Sequence, residues 1–223
     1  MQISRRLSTV LLGSLLFFGL GHECFADSIV FSNLGTGSNV YLDGGQSIFS
    51  GPGGYQAVAG AFTPASAAYF TELNLALTYL YGLNSVTVDL MSDSGGPGAV
   101  LESWNSTALP AYGPCCTLAT LSGNGTILLE SGATYWVAVW PDDGTGADWF
   151  ANSTNASTEA LYNPGSGWFS VGDSPGNTAF EVQGVSTTPE PGTLPLLGSG
   201  LLGLAGLLRR RLRLSKIERS SVN

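Results

Sequence analysis

The chain has 223 residues, 43% of them hydrophobic, and a formal net charge of -8, a length that accommodates one ordinary domain with extensions. Its 8 basic residues sit near the ends, at Arg5, Arg6, Arg209, Arg210, Arg211, Arg213, Lys216 and Arg219, while most of the acids lie between them. A body without a cation repels phosphate backbones and anionic lipid surfaces, so nucleic acid is excluded as its partner.

The first element reads as a secretory signal peptide. Arg5 and Arg6 form a positive start, Val10 to Leu20 is apolar, and small residues at Cys24 and Ala26 fit cleavage by signal peptidase after Ala26. The apolar run is short for a membrane span. Glu23 argues against lipid attachment at Cys24, and the rest of a twin-arginine motif is missing. Cleavage after Ala26 would remove His22, the only histidine, and leave Cys115 and Cys116 as the remaining cysteines. In an oxidising compartment these neighbours have three options: a bridge to each other, free thiols, or pairing between chains.

From residue 27 to 186 the pattern is that of short strands. "ELNLALTYL" (72–80) alternates Leu73, Leu75, Leu77 and Tyr79 with polar or small residues. "SVTVDLM" (85–91) alternates Val86, Val88 and Leu90. "TYWVAVW" (134–140) sets Tyr135, Val137 and Val139 against Trp136, Ala138 and Trp140, and "AFEVQGV" (179–185) carries Phe180 and Val182. Turn signals stand between, at "SDSGGPG" (92–98), "SGNG" (122–125), "PDDGTG" (141–146) and "NPGSG" (163–167). Period-two alternation at short intervals predicts an all-β fold. We expect an antiparallel β-sandwich of about eight to ten strands, jelly-roll-like.

Residue types limit the chemistry of this body. Without His, Lys or Arg it lacks the usual base for a serine nucleophile and the cationic clamps of phosphoryl transfer. Two carboxylates suffice for a glycoside hydrolase, and Glu72, Asp89, Glu102, Glu130 and Glu181 are unpaired candidates. The alternation of Val88 and Leu90 predicts that Asp89 faces solvent. Asp142, Asp143 and Asp148 share a glycine-rich stretch and are a candidate oxygen-ligand set for calcium, the one cofactor the residues suggest. EF-hand spacing is absent, and a solvated acidic turn is the plainer reading. Of the tryptophans, Trp136 and Trp140 read as strand packing. Trp149 and Trp168, next to loops, read as candidates for stacking on a sugar. The sequons at Asn105, Asn124, Asn152 and Asn155 mark hydroxyl-rich loops.

The last element starts at Pro189, Glu190 and Pro191, where the prolines favour an extended backbone. Residues 192–208 are uncharged, just long enough for a transmembrane helix, with Ser199 and Gly203 at a spacing that suits close helix packing. Arg209, Arg210 and Arg211 would hold its end on the cytoplasmic side. The glycines between Gly198 and Gly206 would weaken a soluble helix by about 1 kcal/mol each.

The order Pro-Glu-Pro, Leu/Gly-rich span and arginine cluster resembles the PEP-CTERM sorting signal of exported Gram-negative bacterial proteins. That resemblance implies a precursor held in the inner membrane and cut near Pro-Glu-Pro by an exosortase-type membrane transpeptidase. The product then goes to the cell surface or extracellular matrix, often beside exopolysaccharide. Thr188 stands where that signal often has valine, and the tail after Arg213 is longer than usual. "SVTVDLMSDSGGPGAVLESW", "CCTL", "SGATYWVAV" and "YNPGSGWF" resemble the choice-of-anchor exported β-domains, across roughly Val58 to Val182. That likeness brings no catalytic residues. The expected organisation is a signal peptide (1–26), an exported β-domain (27–186) and a sorting signal (187–223). The expected role is non-enzymatic, structural or adhesive, with a carbohydrate- or calcium-binding module as the alternative and a glycoside hydrolase as a remoter one.

Overall fold

The computed structural model describes residues 27–187, apart from 114, 155, 157, 158 and 172–176, together with residues 198 and 200–204. The expected cleavage after Ala26, the motif Pro189, Glu190 and Pro191, and the cluster Arg209, Arg210 and Arg211 lie outside the described residues. So does most of the expected span 192–208. Its described residues, 198 and 200–204, are helical and belong to a unit separate from Phe25–Thr187. Among the described residues, no helix is long and apolar enough to cross a membrane.

The Phe25–Thr187 unit is all-β. Its strands are β1 (Asp27–Ser32), β2 (Tyr41–Gly51), β3 (Gly54–Phe62), β4 (Ala68–Leu75), β5 (Leu77–Gly82), β6 (Val86–Asp93) and β7 (Pro97–Ser106). There follow β8 (Ala119–Ser122), β9 (Leu128–Leu129), β10 (Tyr135–Pro141), β11 (Thr145–Asn152), β12 (Ala160–Asn163), β13 (Phe169–Ser170) and β14 (Phe180–Ser186). They form two curled antiparallel sheets. The 5-stranded sheet runs β1-β14-β4-β8, with β9 also on β4, and the 9-stranded sheet runs β5-β11-β2-β3-β10-β6-β7, with β12 on β3 and β13 on β12.

The strand count exceeds expectation partly because one predicted strand is two. The run 72–80 divides at Ala76, leaving β4 in the smaller sheet and β5 in the larger. Ala76 is fully buried and sits at the seam: its N–H donates to Ala179 O (3.1 Å) and its carbonyl accepts from Phe150 N (2.9 Å). A strand that changes sheets makes a corner of this kind. Leu73, Leu75 and Leu77 still point into one core, so the alternation passes straight through the corner.

That core joins the inner faces of both sheets. Phe70, Leu73, Leu75, Phe180 and Val182 from one meet Val58, Phe62, Val88, Val137, Val139 and Trp149 from the other. Phe180 touches Phe62 edge-on at 6.0 Å and Trp149 at 5.7 Å. Gly60 keeps the sheets this close, since a side chain there would run into Thr178 Oγ1. Asn33 ties the seam: Nδ2 donates to Thr178 O (2.7 Å) and Oδ1 accepts from Phe180 N (2.7 Å), both buried.

Candidate functional site

Adjacent residues of a strand face opposite ways. On β11, Trp149 points into the core and Phe150 to the opposite face, into a small buried cluster where its ring stacks on Tyr41 of β2 at 4.9 Å with 5° between the planes. Past these rings runs a strap, described at residues 110–113 and 115–118. Its first part lies along β5, with Tyr79 N donating to Pro110 O (2.7 Å), Tyr112 N to Tyr79 O (3.1 Å) and Thr78 Oγ1 to Pro110 O (3.1 Å). Its far part is fastened by Tyr41, whose hydroxyl donates to Thr117 O (3.3 Å) and accepts from Thr117 N (3.1 Å). Between the fastenings, Cys115 and Cys116 are joined to each other by a disulfide.

Strap and sheet enclose a cleft of about 370 Å³ lined by Tyr41, Asp43, Tyr112, Gly113, Cys115 and Phe150. Tyr112 is 54% exposed, and its hydroxyl donates to Asp43 Oδ1 at 2.7 Å. This bond, with the charge of Asp43, holds the Tyr112 phenol above the usual tyrosine value, and burial does the same for Tyr41. The phenol of Tyr112 therefore remains a donor at neutral pH. The cleft offers one exposed ring, a carboxylate oriented by it, and an apolar wall at the disulfide. Among the described residues Asp43 is the only acid in the lining, whereas carboxylate-pair hydrolysis needs two.

The carboxylates singled out from sequence are dispersed. Glu72 Oε1 accepts from Asn74 Nδ2 (2.8 Å), Glu181 Oε1 from Gln183 Nε2 (2.9 Å), and Glu102 Oε1 from Asn124 N (3.1 Å). Glu130 follows β9 and is exposed. Asp89 departs from expectation: at 9% exposure it is buried. It does lie on the face away from the core, in register with Ala138 on one side and Ser103 on the other. That face is covered by a second apolar cluster around Trp136 and Ala138, which shields it from solvent.

The proposed calcium ligands do not converge. Asp142 accepts hydrogen bonds from Ser85 Oγ and from Asn105 Nδ2 (3.3 Å), and Asp143 is exposed in the turn after β10. Asp148 lies within β11, opposite Ser47 of β2, and burial raises its carboxyl above the ordinary value. Among the described residues, no three His, Cys, Asp or Glu side chains form a group able to hold a metal ion.

Trp149 is not a ligand platform. It is 0% exposed, and its Nε1 donates to Ala179 O at 2.9 Å. Pairing of β11 with both β2 and β5 turns this residue inward, so loop proximity misled. Trp168 is half-buried, packed edge-on against Trp140 at 5.1 Å. The two flank the second cluster, where Trp136 is 1% exposed and its Nε1 donates to Asp93 Oδ1 (2.7 Å). Packing, as read from sequence, accounts for Trp136.

Tyr41, Asp43, Tyr112 and Phe150 were missed by sequence reading. The one available signal was β-alternation, which sets Phe150 opposite Trp149. No curated protein matches the chain. The match found lies in the C-terminal part of the sequence, where residues 187–211 fit the family model of the PEP-CTERM protein-sorting motif. The motif implies exosortase processing, export and cell-surface sorting. The chain thus carries a PEP-CTERM protein-sorting motif at its C-terminus, behind a β-rich domain.

Proposed function

We propose that the protein is exported from a Gram-negative bacterium and delivered to the cell surface or extracellular matrix as a non-enzymatic structural or adhesive component. In this reading signal peptidase removes residues 1–26 after Ala26. Residues 192–208 then span the inner membrane transiently, with Arg209, Arg210 and Arg211 on the cytoplasmic side. An exosortase-type transpeptidase acts near Pro189, Glu190 and Pro191. The jelly-roll-like β-sandwich of residues 27–186 is the delivered part.

The sorting motif at residues 187–211 carries the reading. Its support comes from charge: between Ser8 and Leu208 the sequence has no Lys or Arg, so the arginines after the span are the first available stop. The resemblance to exported β-domains on varied anchors points the same way. The non-enzymatic role is supported by a body without His, Lys or Arg and by dispersed carboxylates.

Intact mass spectrometry of the protein recovered from culture fluid and from membranes tests this reading. The expected species has lost residues from both ends. A species at its final location that still ends in Asn223 would favour permanent anchoring and overturn the sorting step.

A further inference from the structure

We propose that the cleft beside the Cys115–Cys116 disulfide binds one uncharged pyranose unit of a glycan. The site lies on the folded unit, so the proposal stands whether or not the C-terminus is processed.

The volume of about 370 Å³ falls in the range of small-molecule sites. A pyranose has an apolar C–H face and a rim of hydroxyls, and the cleft presents the complement of both. Tyr112 supplies the ring, more than half exposed although its backbone is laddered to Tyr79 and its hydroxyl is fixed on Asp43. An exposed aromatic fastened at both ends is set in place for stacking, so little ordering remains to be done on binding. Asp43 supplies the acceptor. Tyr112 occupies Oδ1, and Oδ2 has no hydrogen-bond partner among the described residues, which leaves it for a sugar hydroxyl. Cys115 supplies an apolar wall.

The same geometry excludes other classes. Anionic ligands meet Asp43 in the cleft and Asp148 close enough to act on Tyr112, with no cation anywhere in the unit. An organic ammonium needs a box of ring faces. Here the faces of Tyr41 and Phe150 are turned on each other, leaving only Tyr112. The disulfide joins adjacent residues and so closes no loop of chain. Its contribution is therefore local, in the wall where Cys115 meets the cleft.

The test is calorimetric titration of the full-length protein with cellohexaose, xylohexaose, maltohexaose and N-acetylchitohexaose, with oligogalacturonate and choline as charged probes. We expect saturable binding of at least one neutral oligosaccharide and none of the charged probes. Tyr112→Ala and Asp43→Asn should each weaken that binding by about tenfold, with circular dichroism unchanged. Trp168→Ala should leave it as it was. The proposal is overturned if no neutral probe binds, if a charged probe binds in this cleft, or if binding survives Tyr112→Ala. Equal loss on Trp168→Ala would overturn it too, by moving the site to the second cluster.

Discussion

Around Trp136 the outward face of the nine-stranded sheet is closed over; beside Phe150, itself 3% exposed, the covering is incomplete and a cleft stays open at Tyr112. Both places are rich in aromatic rings. At the first, Leu161 of β12 and the half-buried Trp140 and Trp168 cover Ala59, Ala61, Ala138 and Trp136, and the indole N–H is satisfied by Asp93. At the second, the strap is fastened at a distance by Tyr79 and Tyr41 and leaves a cleft beneath Tyr112. Closure places an aromatic in the stability of the fold, whereas an open cleft leaves it available for recognition. The number of rings is thus a poor guide to function, and what covers them is a better one.

The sharpest way to break this contrast is to truncate one ring from each place. Trp136→Ala deletes a fully buried indole, so a loss of about 3–5 kcal/mol is expected in urea unfolding. Tyr112→Ala removes a ring that is 54% exposed, with its contact to Phe150 and its hydrogen bond to Asp43, and should cost no more than about 1.5 kcal/mol. Similar losses at both sites would mean that Tyr112 is structural after all.

This contrast was only partly legible beforehand. β10 announced itself, because "TYWVAVW" is a continuous run rich in β-branched and aromatic residues, as a strand with both faces buried requires. The sorting signal was legible for another reason: it is a linear motif whose parts need no fold to be recognised. The corner at Ala76 left no mark, since Leu75 and Leu77 keep the alternation while the strand changes sheets. Trp149 and Phe150 differ by one position, and only the pairing of β11 with β2 and β5 decides which goes inside. The strap has no periodicity to read. Tyr112 is placed by backbone bonds to Tyr79, 33 positions earlier, and by Asp43, 69 positions earlier.

A finer probe is pH, because the acids at the two places are shifted in opposite directions. Asp93, beside the closed cluster, is lowered chiefly by the hydrogen bond from Trp136. Asp148, on the same face of β11 as Phe150, is raised by burial, with a hydrogen bond from Ser47 opposing. A lowered carboxyl gives stability that is present above its unfolded value and lost as pH falls through the folded one. A raised carboxyl does the reverse: its favourable contribution is complete below the unfolded value and disappears as pH rises through the folded one. Asp148→Asn should therefore melt higher than the parent at neutral pH, with the gap closing toward acid. Asp93→Asn should melt lower at neutral pH, with its gap also closing. Thermal melts of the three proteins from pH 3 to 7 check both signs, and an Asp148→Asn variant that is less stable at pH 7 would contradict the burial argument.

The smallest effect on stability is expected from the disulfide. Cross-links stabilise chiefly by shortening loops in the unfolded chain, about 3 kcal/mol for a 15-residue loop. Cys115 and Cys116 enclose no such loop, so reduction should cost at most about 1 kcal/mol. For a protein of this size that is a fall of no more than about 3 °C in Tm. The strap remains fastened by Pro110, Tyr112 and Thr117, none of which depends on sulfur. What reduction does release is the side chain of Cys115 in the cleft wall, so its consequence should appear in ligand affinity more than in melting. A fall in Tm well beyond 3 °C on reduction would show that the bridge holds the strap to the sheet. The open cleft would then be a feature of the oxidised protein alone.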